Sequence, residues 1–381
     1  MDFSQIGGET ASRRAALSAI GAGVAGLSGC LGGGDGGDGG DGGDGGDGAT
    51  AGSPDSSAPF RNQTLRVSTW SGANATVFQE EIKPAYEEAT GGTVEIVPGW
   101  SEILAKIRAA PADDPPYDLT VTGDRQHYLG LQSDLWEPID VTGLDNAARI
   151  KEPLLREDPI SVPVAYGVMC HAYDESAVEE TPGPWADLLT TDEDVALPGA
   201  YWSNSMQMAA IASDEMPFDE ELYGPDGHDA IFETLRTIDA DKYYTGAQDL
   251  WTAIQEGVAT TGQYFFAYSQ KKSETSDMQI GINVPTETTG YIDDYHAVRG
   301  TDRLDMATDF LDFLLTPEIQ ETYAESFNMG MATTDVEYPD ATSESVPLTP
   351  AELEDVSFLE WSDLAEYSET LTERFNALKS E

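Results

Sequence analysis

From Asn62 onward the apolar positions switch repeatedly between a period of two and a period near four. Leu65 to Trp70 has the alternating, β-branched character of a strand and ends in Trp70-Ser71-Gly72. Phe78, Ile82 and Tyr86 then recur four residues apart, which is one helix face, until Gly91-Gly92 stops the run. Thr93 to Val97 alternates as a second strand, Ile103, Leu104 and Ile107 mark a second helix, and Tyr117 to Thr122 is a third strand running into Gly123-Asp124. Strands alternating with helices predict an α/β fold with a mainly parallel sheet and ligands at the carboxyl ends of its strands. Here those ends are Trp70-Ser71 and Gly123-Asp124.

The same alternation continues. Ser161 to Tyr173 is an extended apolar run, Trp185 to Thr190 a short helix, and Val195 to Leu197 a strand leading to Tyr201-Trp202-Ser203-Asn204. Helices follow over Met206 to Ala212 and Asp249 to Gly257, then strands over Thr261 to Phe266 and Gln279 to Val284. Gly290 to Val298 crosses back. Asp305 to Leu315 is amphipathic through Met306, Phe310 and Phe313, and Thr316-Pro317 reads as an N-cap followed by proline at the first helical position. Thr349 to Glu352 has capping-box spacing. A last helix carries Leu364, Tyr367, Leu371, Phe375 and Leu378 on one face and is expected to strap across a lobe.

Before Asn62 the pattern is of another kind. Arg13-Arg14 precede an uncharged run from Ala15 to Ser28, whose 14 residues are fewer than the about 20 needed to span a bilayer. A twin arginine before a short apolar run is an export address for a folded protein, here residues 1–29. Leu27-Ser28-Gly29-Cys30 resembles the bacterial-type lipobox, which makes Cys30 the lipidated first residue of the mature chain. Residues 30–61 then form a tether of Gly-Gly-Asp repeats and small polar residues, with too little apolar surface to pack.

Charge narrows the function. Lys and Arg number 19 against 70 Asp and Glu, a formal charge of −51, which excludes binding to nucleic-acid phosphates. The balance resembles that of haloarchaeal proteins and suits a salt-rich medium. With Cys30 assigned to the lipid, Cys170 is left without a disulfide partner and reads as a buried structural thiol. The histidines His127, His171, His228 and His296 have no metal-ligand spacing, and neither a G-x-S-x-G elbow nor a phosphate-binding glycine loop is present. No cofactor or metal is expected. A secreted glycosidase-like enzyme with paired carboxylates is the alternative from another class, although no spacing selects the pair.

Several segments resemble the spermidine/putrescine type of extracellular solute-binding protein, the lipid-tethered receptor of an ABC importer. They are Leu65 to Trp70, Tyr117 to Leu119 through Leu135 to Asp140, Tyr166 to Val168 leading to Pro184 to Leu188, and Ala307 to Ala324 with Phe310-Leu311-Asp312-Phe313-Leu314-Leu315-Thr316-Pro317-Glu318. The resemblance implies a two-lobed periplasmic-binding-protein-like fold of type II with a ligand cleft between the lobes. Lobe 1 would comprise 62–162 and 296–335, lobe 2 would comprise 163–295, and 336–381 would be the C-terminal strap. It also implies a monomer, held on the outer face of the membrane through Cys30, that passes its solute unchanged to a permease and its ATPase.

Within that resemblance Trp70 matches the family's stacking aromatic, Asp294 the carboxylate that pairs with an amine, and Tyr264 or Phe265 a further pocket aromatic. Ser71, Gly123, Asp124 and Trp202 complete the candidate site, although in so acidic a chain Asp124 and Asp293 are by default solvated acids. Two acidic positions of the family appear as Tyr201 and Asn204, which disfavours a polycation because each buried ammonium needs its own partner. The ligand expected is an amine or other organic cation (polyamine-like, thiamine-like or choline-like), a single positive centre fitting better than several, held against aromatic faces. A ferric-ion, anion or sugar binder on the same fold is the alternative. Related ferric binders carry paired tyrosines where this chain has Tyr264-Phe265, and Tyr243-Tyr244 lies too early to replace them.

Overall fold

A computed structural model describes residues 58–156, 160–213 and 222–381. The export address at 1–29, Cys30 and the tether as far as residue 57 lie outside the described residues. In chain order the strands are β1 (Thr64–Trp70), β2 (Thr93–Gly99), β3 (Leu119–Thr122), β4 (Trp136–Glu137), β5 (Val162–Asp174) and β6 (Val195–Pro198). They continue as β7 (Lys242–Tyr244), β8 (Thr261–Phe265), β9 (Ile280–Asn283), β10 (Thr288–Val298), β11 (Gly330–Met331) and β12 (Val356–Phe358). They hydrogen-bond in the order β2-β1-β3-β10-β5-β8-β6-β7, with β4 and β12 on β10 and with β9 and β11 on β5.

Two parallel groups make the two lobes. β1 pairs in parallel with β2 and β3, and β6 in parallel with β7 and β8. Between them β5 and β10 run antiparallel to each other and to β8 and β3 respectively. Parallel neighbours need a long crossover between them, whereas β5 carries the chain out of the first lobe and β10 brings it back. The mainly parallel sheet expected from the alternation therefore holds within each lobe and not across the join. β5 pairs with β10 from Val162 to Val168 and with β8 from Met169 to Tyr173, so it changes lobes at Val168-Met169. All of β10, and all of β5 except its last residue, is buried. That burial on both faces explains why these runs are apolar without alternation.

Local signals set the first lobe. Gly72 takes φ 83°, a left-handed conformation open to glycine, and turns the chain from β1 into the helix Ala73–Val77. The helix continues through a π turn, Phe78–Ile82, into Lys83–Thr90, and Phe78, Ile82 and Tyr86 are buried along it. Gly91, at φ 71°, closes it with its N–H on the Glu87 carbonyl. The amphipathic helix Leu304–Leu314 and the helix Pro317–Phe327, entered from Thr316, cover the same lobe, with Phe310, Leu311, Leu314 and Tyr323 buried.

Beyond the expected elements the chain forms helices at Asp124–Leu131, Pro225–Ile238 and Phe266–Thr275. Cys170 is a buried free thiol in β5. After β12 adds in parallel to β10, the helices Trp361–Leu364 and Ser368–Leu378 finish the chain. Ser368–Leu378 rests on the second lobe: Arg374 pairs with Asp229 at 2.8 Å, its guanidinium lies 4.2 Å from the Phe232 ring centroid, and Lys379 Nζ donates to the Gly199 carbonyl at 3.0 Å.

Candidate functional site

The cleft begins where β1 and β2 end side by side. Trp70, the last residue of β1, stacks on Trp100, with ring centroids 5.4 Å apart and planes at 15°. The Trp70 indole Nε1 donates to Asp293 Oδ1 at 3.0 Å. Asp293 lies on β10 and is only 4% exposed. These side chains border a cavity of about 610 Å³. The first lobe contributes Trp70, Trp100 and Asp124, the second Tyr201, Trp202 and Tyr268, and the crossing strand β10 the stretch Thr289 to Tyr291 with Asp293. A volume of this size suits a small organic solute.

Charge on the wall is lopsided. Asp124, Asp293, Glu369 and Glu373 face the cavity against one base among the described residues, Arg125. Burial pushes the Asp293 carboxyl up to about 7; the Trp70 N–H opposes that rise and the neighbouring Asp294 and Asp124 charges add to it. Burial also pushes Asp124 up to about 6, against the pull of Arg156. A cation brought into the cleft would favour the ionised form of both. Thr289 Oγ1, also on the wall, has no hydrogen-bond partner among the described residues.

Alternation along β10 separates two adjacent carboxylates. Neighbouring residues of a strand project to opposite faces, so Asp293 reaches the cavity while Asp294 turns behind the wall. The pairing of β10 with β5 shifts at this point: Asp293 faces Ala165 and Asp294 faces Pro163. Asp294 is fully buried and takes an ion pair from Arg156 Nε at 2.7 Å and a hydrogen bond from Ser161 Oγ at 3.1 Å.

A model of the bacterial extracellular solute-binding protein family matches residues 81–350. The chain belongs to that family. As a solute-binding protein of an ABC importer it binds a small molecule and delivers it to a permease and ATPase, and it is not an enzyme. It is 23% identical over 338 residues to the gamma-aminobutyric acid-binding protein of Pseudomonas aeruginosa, covering 84% of this chain and 92% of the relative. Its fold matches the spermidine/putrescine ABC transporter substrate-binding protein of Streptococcus pneumoniae with a TM-score of 0.71 at 18% identity, over 84% of this chain and 99% of the other. An ABC transporter protein of Clostridium perfringens gives a TM-score of 0.71 at 18% identity, over 82% of this chain and 99% of the other. The expected periplasmic-binding-protein-like fold is thus the fold of this receptor. Among the described residues no helix is long and apolar enough to cross a membrane.

Of the residues expected at the ligand, seven lie together on the wall of the receptor's cleft: Trp70, Ser71, Gly123, Asp124, Tyr201, Trp202 and Asn204. Three do not. Asp294 is displaced by the one-residue alternation of β10 and is already paired with Arg156. Tyr264 points into the second lobe, where Trp251 and Tyr244 meet its ring edge-on at 5.3 and 5.9 Å. Phe265 stands behind the wall and packs edge-on at 5.3 Å against Tyr291, which does face the cavity. Asp124 and Asp293 are not solvated acids; one is held in an ion pair and the other is buried.

The residues that the sequence did not single out are Trp100, Tyr268, Tyr291, Arg125 and Trp361. Trp100 follows β2 directly, and the strand-exit rule applied to β2 as to β1 would have found it. Trp361 comes from the C-terminal segment, far along the chain from both of its partners. Its ring meets Trp202 at 5.8 Å and lies 5.7 Å from the Arg125 guanidinium.

Proposed function

We propose that this receptor captures a small amine-bearing solute, with the ammonium group on Asp293 inside a frame of Trp70, Trp100 and Tyr291. The observation that carries the reading is a buried carboxylate on the cavity wall that, among the described residues, accepts a side-chain hydrogen bond from one indole N–H and takes part in no ion pair. An ionised carboxylate in such a place needs a counter-charge, and aromatic faces beside it add about 0.5–2 kcal/mol per cation contact. Arg125, the base that the described residues place on the wall, is suited to a ligand carboxylate. An ω-amino acid of the kind for which the Pseudomonas relative is named carries both groups. A ferric ion fits less well, because burial holds the Tyr268 and Tyr291 phenols above their ordinary range and so disfavours phenolate ligands.

Twin-arginine export, lipid on Cys30 and a salt-rich habitat complete the proposal, and the sequence before residue 58 and the charge of −51 support them; a monomeric receptor belongs to it as well.

A thermal-shift and calorimetry panel of 4-aminobutanoate, n-butylamine, butanoate and a disaccharide tests the reading in molar salt. Compounds with an ammonium group should stabilise the protein, by about 2.7 kcal/mol at a hundredfold excess over Kd. Stabilisation by butanoate or the sugar alone would overturn it.

A further inference from the structure

Arg156 lies behind the cleft wall, just after the turn Glu152–Leu154, and two carboxylates share its guanidinium. Nη2 donates to Asp124 Oδ1 at 2.6 Å and Nε to Asp294 Oδ2 at 2.7 Å. The arginine and Asp124 side chains are each 10% exposed and that of Asp294 is 0% exposed. The exposed pair Arg236–Glu381, by contrast, is about half in solvent. Exposed pairs add little to stability, whereas buried charges persist only when matched.

Asp124 and Asp293 on the cleft wall and Asp294 behind it therefore lie near enough for their charges to act on one another, and Arg156 is shared by two of the three. Among the described residues no ion pair reaches Asp293. A ligand with two ammonium groups needs two unmatched carboxylates, and of these three only Asp293 is unmatched; Glu369 and Glu373, also on the wall, are exposed to solvent and so offer only weak, screened partners.

We infer that Arg156 is a built-in cation standing where a second ligand ammonium would be neutralised, so that it determines selectivity for one ammonium over two. The inference rests on the amine reading above. Asp124 is the carboxylate it withholds, since Asp124 both lines the cavity and carries Arg156. A purely mechanical clasp between the helix Asp124–Leu131 and β10 would use the same contacts without bearing on ligand charge.

The test compares n-butylamine with 1,4-diaminobutane, which have the same chain and differ in one ammonium, by calorimetry on the full protein. Arg156→Met should raise the ratio of diamine to monoamine affinity by about tenfold or more, the scale of one desolvated charge pair. Arg156→Lys should keep the wild-type ratio. If Arg156→Met does not fold, Arg156→Met with Asp294→Asn removes one charge of each sign, still frees Asp124 and should raise the ratio in the same direction. An equal loss for both probes, with the ratio unmoved, would overturn the inference and leave Arg156 a clasp. Wild-type protein that binds neither probe would overturn the amine reading and this inference with it. Wild-type protein that binds n-butylamine, with no shift of the ratio in either variant, would overturn this inference alone.

Discussion

At the scale of single residues, Asp293 and Asp124 are cleft carboxylates whose state changes near the physiological range, and among the described residues Asp293 is the one without an arginine partner. Its carboxyl is pushed up to about 7, above the ordinary value near 4, so the empty folded protein binds a proton there that the unfolded chain has already lost. Its contribution to stability is therefore greatest at low pH and declines as pH rises from about 4 through about 7. Ligand binding runs the other way, because an ammonium partner prefers the ionised carboxylate. Affinity for 4-aminobutanoate should rise with pH between 5 and 8, by at most about tenfold per unit below the carboxyl's own pKa. Asp293→Asn should lose at least about tenfold in affinity and most of this pH dependence. Calorimetry across that range checks both, and an unchanged slope in the variant would assign the titration to Asp124. The sequence shows two adjacent aspartates at 293 and 294 but does not show which one faces inward. A one-residue step along a strand exchanges its faces, and only the pairing of β10 with β5 decides the phase.

At the scale of elements, what was legible were runs whose own periodicity reports their burial. β1, the Phe78-Ile82-Tyr86 helix face and the helix after Thr316 are of that kind. The strand-exit rule directed attention to Trp70 and Gly123, which line the cavity. Other elements were hidden for physical reasons. The helix Pro225–Ile238 starts with Gly224-Pro225-Asp226-Gly227, which reads as a turn, and is held by apolar contacts further along such as Ile231, Phe232 and Leu235. The helix Phe266–Thr275 follows β8 without a break, so its first residues read as more strand. The helix Ser368–Leu378 rests on the second lobe, and Trp361 ahead of it does more than cover that lobe. It approaches Trp202 of the second lobe and Arg125 of the first, and all three line the cavity. Trp361→Ala should leave the melting temperature within a few degrees of wild type and speed ligand release about three- to tenfold, the yield of one aromatic contact. Stopped-flow dissociation measures this, and an unaltered release rate would confine Trp361 to a packing role.

At the scale of the whole molecule, the charge of −51 and the location of the site act over different distances. Screening at physiological ionic strength confines surface attraction to about 8 Å, and at molar salt to about 3 Å. Selectivity therefore has to reside in contacts made inside the cleft, between two parallel-stranded lobes and over the crossing strand β10. The central claim is that the cleft receives the cationic end of its ligand on Asp293 and not on Asp294. The most direct measurement is a crystal structure of the protein with 4-aminobutanoate bound. The account predicts the ammonium nitrogen within about 3 Å of an Asp293 carboxylate oxygen, between the Trp70 and Tyr291 rings, with Asp294 still on Arg156. A ligand whose amine points away from Asp293, or one bound outside the cleft, would contradict it.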